Sequence, residues 1–330
     1  MKIHQSFNEI IKPENGCVLA IGNFDGVHLG HQRIISTART LANKHNLPLF
    51  ALTFYPAPIK ILRPELSPRI ITPIETKVHY LKNHGIDELM VVQTNKTFLQ
   101  IEAEDFVKDI IAGVFNARHI VEGESFNFGK KRKGSLESLK QLGKTFNFEA
   151  HQPDAKTITA AHLDDPITIS STYIRQQIAN GEFIDTEKCL GRHYNICGTV
   201  VTGHKRGRTI GFPTANLHTY HQEQLICRDG VYAGWATIGD TVAEMLTTKQ
   251  RYMSAISIGE AATFDDAKWQ LEAHLIDFKG DNDCLYGKHL SLSMIKRIRR
   301  LEKFNDVDTL IKQISLDCET TTSLLSSKGQ

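Results

Sequence analysis

Two stretches of this chain crowd reactive side chains together. In "AIGNFDGVHLGHQRII", Ala20 to Ile35, His28 and His31 stand three residues apart with Gly30 between them, just after Gly22, Asn23, Phe24, Asp25 and Gly26. Two imidazoles at i and i+3 share one helix face and can meet one ligand. The N–H groups of a helix's first turn have no internal partners and carry partial positive charge, so an anion is stabilised there. A glycine between the histidines lets a phosphate approach the backbone closely. The chemistry on offer is phosphate binding, weighed against an ordinary strand-turn-helix corner with surface or capping histidines.

The second stretch, "GHKRGRTIGFPTANL", runs from Gly203 to Leu217. Gly207 and Gly211 supply a mobile backbone, Arg206 and Arg208 positive charge, and Pro213 a fixed turn before Thr214 and Asn216. Residues two apart on an extended segment face the same side. Thr214 and Asn216 both offer neutral oxygens suited to Mg²⁺, which keeps several waters and bridges to phosphates. Downstream, Glu272 alternates with Leu271 and Ala273, so its carboxylate can face a cavity while its neighbours face the core. Between the two stretches, "ISSTYIR" offers Ser170, Ser171, Thr172 and Arg175. Alone it reads as a helix N-cap with a solvated arginine. In the same half of the chain as the histidine pair, it reads better as a second phosphate clamp.

These groups need a scaffold. "CVLAIGNF" is a short apolar strand, and the residues after it place Ile34, Ile35, Ala38, Leu41 and Ala42 at helical spacing until "HNLP" stops the helix. "LPLFALTF", "DELMVVQ" and "ARHIVEG" read as further strands, and "ETKVHYLKNHG" and "EAEDFVKDIIAGVF" as helices between them. Alternating strands and helices predict a parallel sheet with helices on its faces. That places the histidine pair at the end of the first strand, where open α/β sheets bind ligands. From about Gly198 the pattern changes to short strands punctuated by Gly, Pro and Asp: "GTVVTG", "GVYAGWATIG", "RYMSAISIG" and "WQLEAHLIDF". They predict a small antiparallel barrel, closed by one amphipathic helix, "DVDTLIKQISLDC". The reading is an α/β domain over residues 1–186, a barrel domain over 187–318 and a disordered polar tail over 319–330, with the boundary between Gly181 and Gly191.

The bulk numbers exclude several classes. The chain has 330 residues, 41 % hydrophobic and 23 % charged, with a formal net charge of +2. That charge is too mild to argue for nucleic acid or an acidic membrane. There is no signal-peptide core at the N-terminus and no apolar run of membrane-spanning length. The six cysteines are scattered, with no CxxC pair, which suits a reducing cytosol. A soluble, cytoplasmic protein acting on small molecules is expected; weak self-association is left open.

"GNFDGVHLGH" together with "ISSTYIR" resembles the adenylyltransferase module of the bacterial bifunctional riboflavin kinase/FAD synthetases. "RGRTIGFPTANL" is close to that family's riboflavin kinase signature, and "DGVYAGW", "LEAHLIDF" and the ending from "LYGKHLSLSMIKRIRR" onward continue the likeness over about residues 15–318. The resemblance implies a Rossmann-like nucleotidyltransferase domain followed by a barrel kinase domain. It implies two reactions: ATP and Mg²⁺ convert riboflavin to FMN, and FMN then attacks the α-phosphate of a second ATP to give FAD and pyrophosphate. His28 and His31 would hold ATP phosphates, with Gly22 to Gly26 and Gly30 around them; Ser171, Thr172 and Arg175 would hold the triphosphate tail. In the kinase half, Gly207, Arg208, Gly211, Thr214 and Asn216 would hold ATP, the last two with the metal, and Glu272 would take the proton of the ribityl 5′-hydroxyl. Ser125, Phe126, Phe128, Arg300 and Phe304 would contact flavin. Three positions depart from the family pattern: Ala57 replaces a histidine between prolines, Ser125 an acid or Asn, and Ala262 a proline. Two other readings stand beside the bifunctional one: a riboflavin kinase with a weakened or altered N-terminal module, and a flavin-binding protein without turnover.

Overall fold

The computed structural model describes residues 1–160, 165–203, 206–260, 269–280 and 282–326. The chain divides into two compact units. The first holds Met1–Pro68 and Lys77–Thr159 with the short run that ends at Ser170; the second holds Arg69–Thr76 and the chain from Ser171 onward.

The first unit is built on a six-stranded sheet of β1 (Lys2–His4), β2 (Cys17–Ile21), β3 (Leu49–Tyr55), β4 (Glu88–Gln93), β5 (Ala117–Val121) and β6 (Glu149–His151), in the order β1-β4-β3-β2-β5-β6. Every pairing is parallel. All five residues of β2 are buried, as a parallel strand covered on both faces requires. α1 (Leu29–His45) follows β2 and buries Ile34, Ile35, Ala38 and Ala42 at the expected spacing; Asn46 ends it in the left-handed conformation at φ 54°. α2 (Pro58–Leu62) and α3 (Ile74–Asn83) come next in the chain, and α4 (Ala103–Asp105) continues as a π-helix over Phe106–Val114. α5 (Leu136–Phe146) precedes β6, and a small hairpin joins β7 (Thr157–Thr159) to β8 (Pro166–Thr168). Phe50, Phe106, Phe115, Phe128 and Phe148 fill the core on one side of the sheet. From β2 the chain moves through β3 to β4 on one side and returns to β5 on the other, so the switch point falls between β2 and β5.

The second unit opens with α6 (Ser171–Asn180) and α7 (Phe183–Leu190). A closed antiparallel barrel follows, of β9 (Tyr194–Val201), β10 (Ala215–Thr219), β11 (Gly230–Gly239), β12 (Tyr252–Glu260), β13 (Trp269–Leu275) and β14 (His289–Arg299), ordered β10-β13-β12-β11-β14-β9. α8 (Arg206–Thr209) and α9 (Val242–Thr247) lie in its connections, and α10 (Val307–Ser326) follows β14. Tyr232, Ile256, Ile258, Ala273, Leu290 and Leu292 are fully buried in the barrel. Closure leaves no free sheet edge.

One expectation differs from this architecture. The polar run after Cys318 is helical through Ser326, because Asp317, Thr321 and Leu325 recur four residues apart and all three are buried. Packing of that stripe outweighs the modest helix propensity of Thr and Ser. By contact, α6 and α7 group with the barrel, in the unit that takes up the chain from Ser171 onward. In α7, Phe183 is buried, its ring parallel to Tyr194 at 6.4 Å and edge-on to Tyr232 at 5.9 Å. Residues 327–330 of the expected tail, and Ala262, lie outside the described residues.

A fragment starting at Glu187 severs α7 and discards Phe183. We expect a chain beginning at Ser171 to melt higher than one beginning at Glu187, measured by circular dichroism. Phe183→Ala in the full chain should destabilise the second unit by about 3–5 kcal/mol, read from its denaturant midpoint. Equal melting of the two fragments would remove α7 from the barrel's support.

Candidate functional site

The chain leaves the buried strand β2 at Gly22 and enters α1 at Leu29 through a sharply folded turn. Phe24, Gly26 and Val27 take positive φ, 48°, 89° and 42°. For Phe and Val this conformation is unfavourable and must be held by its surroundings. Phe24 is fully buried, and its ring covers Gly22, where a Cβ would lie 3.0 Å from it. The carbonyl of Asn23 accepts from the Thr53 hydroxyl at 3.2 Å and from the Lys77 ammonium at 3.0 Å. Gln32 Nε2 donates to the Val27 carbonyl at 2.9 Å. Lys77 is itself buried. Sequence reasoning missed it, because it lies on α3, far along the chain.

His28 is the N-cap of α1: its Nδ1 accepts the backbone N–H of His31 at 3.3 Å. An accepting Nδ1 puts the proton of neutral His28 on Nε2, which makes that nitrogen a donor. The two imidazoles stack, centroids 3.6 Å apart and 19° between planes, and Phe24 meets His31 edge-on at 5.5 Å. The capping and phosphate readings are therefore compatible. Gly30 has a further reason to be glycine: a Cβ there would come within 3.0 Å of the His28 ring. Of the expected group, Phe24 contributes its side chain to the core and offers a ligand only its backbone. Asn23 is exposed and Asp25 half-buried.

Ser171 and Thr172 form the first turn of α6, and Arg175 Nε donates to the Arg69 carbonyl at 2.8 Å. These three belong to the second unit by contact. Ser125 is exposed, with its carbonyl near Arg132 at 3.4 Å. Phe126 is half-buried and stacks on Phe128 at 5.7 Å. Phe128 is a core residue, held against Phe106 and over Gly134, where a Cβ would lie 2.6 Å from its ring. Its side chain packs into the core of the unit. Ala57 caps α2 without a side-chain hydrogen bond.

One acidic residue of this unit escaped the sequence reading. Glu122 follows the last residue of β5, beside the switch point, and is fully buried. Its Oε1 accepts from Gln152 Nε2 at 3.4 Å and its Oε2 has no partner. Burial pushes its carboxyl up to about 7, with Lys140 opposing.

In the barrel the register sets the site. Asn216 of β10 lies directly opposite Glu272 of β13. The Thr214 hydroxyl donates to Glu272 Oε2 at 3.3 Å. Leu271, Ala273 and Leu275 are buried while Glu272 is half-buried, so the alternation read from the sequence holds. Gly203 and Gly207 are spacers: a Cβ on Gly203 would sit 2.2 Å from the Asn216 amide, and one on Gly207 2.3 Å from the Phe212 carbonyl. Gly207 thus serves close approach rather than mobility. Gly211 takes φ +87°, which favours glycine. His274 Nδ1 lies 2.8 Å from the Pro213 carbonyl and anchors the turn before Thr214. Arg208 forks onto Asp283 at 2.9 and 3.3 Å. Near the barrel's last strand, Arg299 rather than Arg300 is engaged. It bonds both oxygens of Asp317 at 2.8 and 2.9 Å and lies 5.7 Å from the Phe304 ring, whereas Arg300 is exposed. The oxygen donors Thr214, Asn216 and Glu272 form a set that fits a hard divalent cation.

A parallel sheet with stacked histidines at its switch point, followed by a closed barrel with Thr, Asn and Glu converging, defines a two-module transferase scaffold. The FAD synthetase family model matches residues 10–172 and the riboflavin kinase family model residues 190–325. The chain is 33 % identical over 306 residues to the bifunctional riboflavin kinase/FMN adenylyltransferase of Escherichia coli strain K12, covering 92 % of this chain and 91 % of that one. It is 35 % identical over 315 residues to the Bacillus subtilis strain 168 protein of the same name, covering 94 % and 93 %. A crystal structure from Streptococcus pneumoniae, named a macrolide-efflux protein, superposes with a TM-score of 0.79 at 31 % identity over 97 % of both chains. Among the described residues of this chain no helix is long and apolar enough to cross a membrane. The chain belongs to the bifunctional riboflavin kinase/FMN adenylyltransferase family.

Glu122 makes stability depend on pH. Its folded pKa is raised, so the fold binds that proton more tightly than the unfolded chain does. Its contribution is full below the ordinary carboxylate range and is lost as pH rises through about 7. Glu122→Gln, a neutral isostere, should therefore be more stable than the parent at pH 8, by about 1–3 kcal/mol, and near-equal to it at pH 4.5. Denaturant melts at the two pH values check this; a variant less stable at pH 8 would mean the carboxylate is held ionised.

Proposed function

We propose that this chain makes both flavin cofactors: its barrel phosphorylates riboflavin to FMN, and its parallel-sheet unit adenylylates FMN to FAD. The observation that carries the kinase half is the register placing Asn216 opposite Glu272, with Thr214 bonded to the same carboxylate. In this reading Glu272 accepts the proton of the ribityl 5′-hydroxyl while that oxygen bonds to the γ-phosphorus of ATP and the bond to ADP breaks. Thr214 orients the carboxylate, and its remaining lone pairs, with the Asn216 amide oxygen, are the ligands for Mg²⁺. Mg²⁺ bound there would neutralise charge on the triphosphate.

In the other unit no side chain needs to form a bond. An FMN phosphate oxygen attacks the α-phosphorus of ATP, and the bond to pyrophosphate breaks. His28, with its proton on Nε2, donates to a phosphate, and the first-turn N–H groups of α1 add partial positive charge. The strained turn from Gly22 to Val27 keeps these donors in place, which is where positioning lowers the barrier. The six cysteines are all free thiols, which fits a reducing cytoplasm.

Glu272→Gln should slow FMN formation by about 10²–10⁴-fold with nucleotide affinity nearly unchanged, because Gln keeps the size and an acceptor oxygen but cannot take the proton. FAD formation from supplied FMN should be unchanged. His28→Asn keeps a good N-cap residue but loses the ring donor. It should lower FAD formation about 10–100-fold, the worth of one charge-assisted contact, and spare FMN formation. Chromatography of flavins after incubation with riboflavin, ATP and Mg²⁺ reads all of these. FMN as the sole product of the parent chain would favour a kinase with an altered first unit, consistent with Ala57 and Ser125. Unchanged riboflavin would leave a flavin-binding protein.

A further inference from the structure

Away from both candidate sites, β5 and β6 bring together His119, Glu149 and His151. We propose that these three side chains bind a divalent transition metal of zinc's class and pin the edge strand β6 to the sheet. β6 is the last strand of its sheet and is short, Glu149–His151, with pairing only to β5. Its register sets His119 opposite Glu149 and Val121 opposite His151. Glu149 and His151 are two apart and share a face.

The donor atoms already form a triangle. His119 Nδ1 lies 3.2 Å from His151 Nε2. Glu149 Oε2 stands 3.8 Å from the first and 3.7 Å from the second. Bonds of about 2.0–2.1 Å in a tetrahedron put neighbouring ligands roughly 3.3 Å apart, so the histidine edge fits and the carboxylate needs to move only a few tenths of an ångström. The Glu149 side chain is 73 % exposed, so that movement costs little. A hydrogen bond between the imidazoles accounts for their separation but not for a carboxylate nearly equidistant from both nitrogens and beyond hydrogen-bond range of each. A cation shared by all three satisfies each of them.

His45 backs His119, ring centroids 4.3 Å apart, and restrains its orientation. Two nitrogens and one carboxylate oxygen suit Zn²⁺, Co²⁺ or Ni²⁺, whereas Mg²⁺ seeks an all-oxygen shell. The site is therefore distinct in chemistry from the Thr214–Asn216 pair.

The test uses the full chain, stripped with chelator and dialysed. Zn²⁺ titrated against a chromophoric chelator should show a tight equivalent that is weakened at least ~10-fold by Glu149→Gln and more by His151→Gln, with Mg²⁺ failing to compete. Co²⁺ should give a visible absorption band that both variants lose. Zn²⁺ should raise the melting temperature of the parent and not of the variants, since a ligand that binds only the folded state stabilises it. Glu149 is exposed, so that variant folds whatever the fate of His151→Gln. Zn²⁺ binding of equal strength in parent and Glu149→Gln chains, or a parent melting temperature indifferent to Zn²⁺, would overturn the proposal. Neither outcome bears on flavin synthesis.

Discussion

The turn between Ile21 and Leu29 constrains the first unit more than any other feature. β2 is buried on both faces, so its backbone must stay in the sheet up to its last residue. α1 must then start close enough to pack Ile34, Ile35 and Ala38 back onto that sheet. Satisfying both demands forces Phe24, Gly26 and Val27 into positive φ. Such backbone persists only where the surroundings over-determine it. Here they do: a buried aromatic ring, a buried lysine and a threonine hydroxyl on one carbonyl, and a glutamine on another. The His28 cap is the last of these restraints. It satisfies one first-turn N–H and at the same time fixes the tautomer of the ring, so a structural bond decides which nitrogen can donate to a ligand.

The barrel reaches comparable control by a different constraint. Closure of an antiparallel sheet fixes the register of every strand against two neighbours. β10 pairs with β9 on one side and β13 on the other, so the Asn216–Glu272 pairing cannot slip without breaking both ladders. The close spacers reinforce it. Gly203 and Gly207 admit the Asn216 amide and the Phe212 carbonyl at distances that no side chain would allow. Gly207, which reads in the sequence as flexible, proves to be a point of tight approach.

What was legible in the sequence follows the range of the forces involved. Strand and helix alternation, the helix opening at the histidine pair and the outward face of Glu272 are local properties, set by periods of two and 3.6 residues. The pattern change near Gly198 was visible for the same reason. What escaped depended on partners distant in the chain. Lys77 matters because of Asn23, Glu122 because a parallel sheet buries its end, and Phe128 because Phe106 and Gly134 enclose it. His119 and His151 carry no motif at all, and only the β5–β6 register unites them. The tail was misread because Thr and Ser repeats look solvated until a barrel covers Thr321 and Leu325. The grouping of α7 with the barrel rests on the aromatic contacts of Phe183, which its polar helix start does not announce.

The two candidate sites face the same electrostatic problem, a polyanionic nucleotide, with opposite charges in hand. At α1 the protein presents backbone N–H groups and, in the proposed reading, the His28 Nε2 donor, so a phosphate there would be stabilised by dipoles already in place. At the end of the neighbouring strand β5, burial pushes Glu122 toward its neutral form. In the barrel the proposed base is the Glu272 carboxylate, which a proton-accepting step would require to be ionised. A carboxylate beside a triphosphate is tolerable only if a cation stands between them, and the neutral oxygens of Thr214 and Asn216 are suited to hold one without adding further negative charge. In the proposed reading, a metal at the barrel site would follow from the choice of Glu272 as base. At the α1 site, where no carboxylate is needed for proton transfer, the backbone dipoles can carry more of the load.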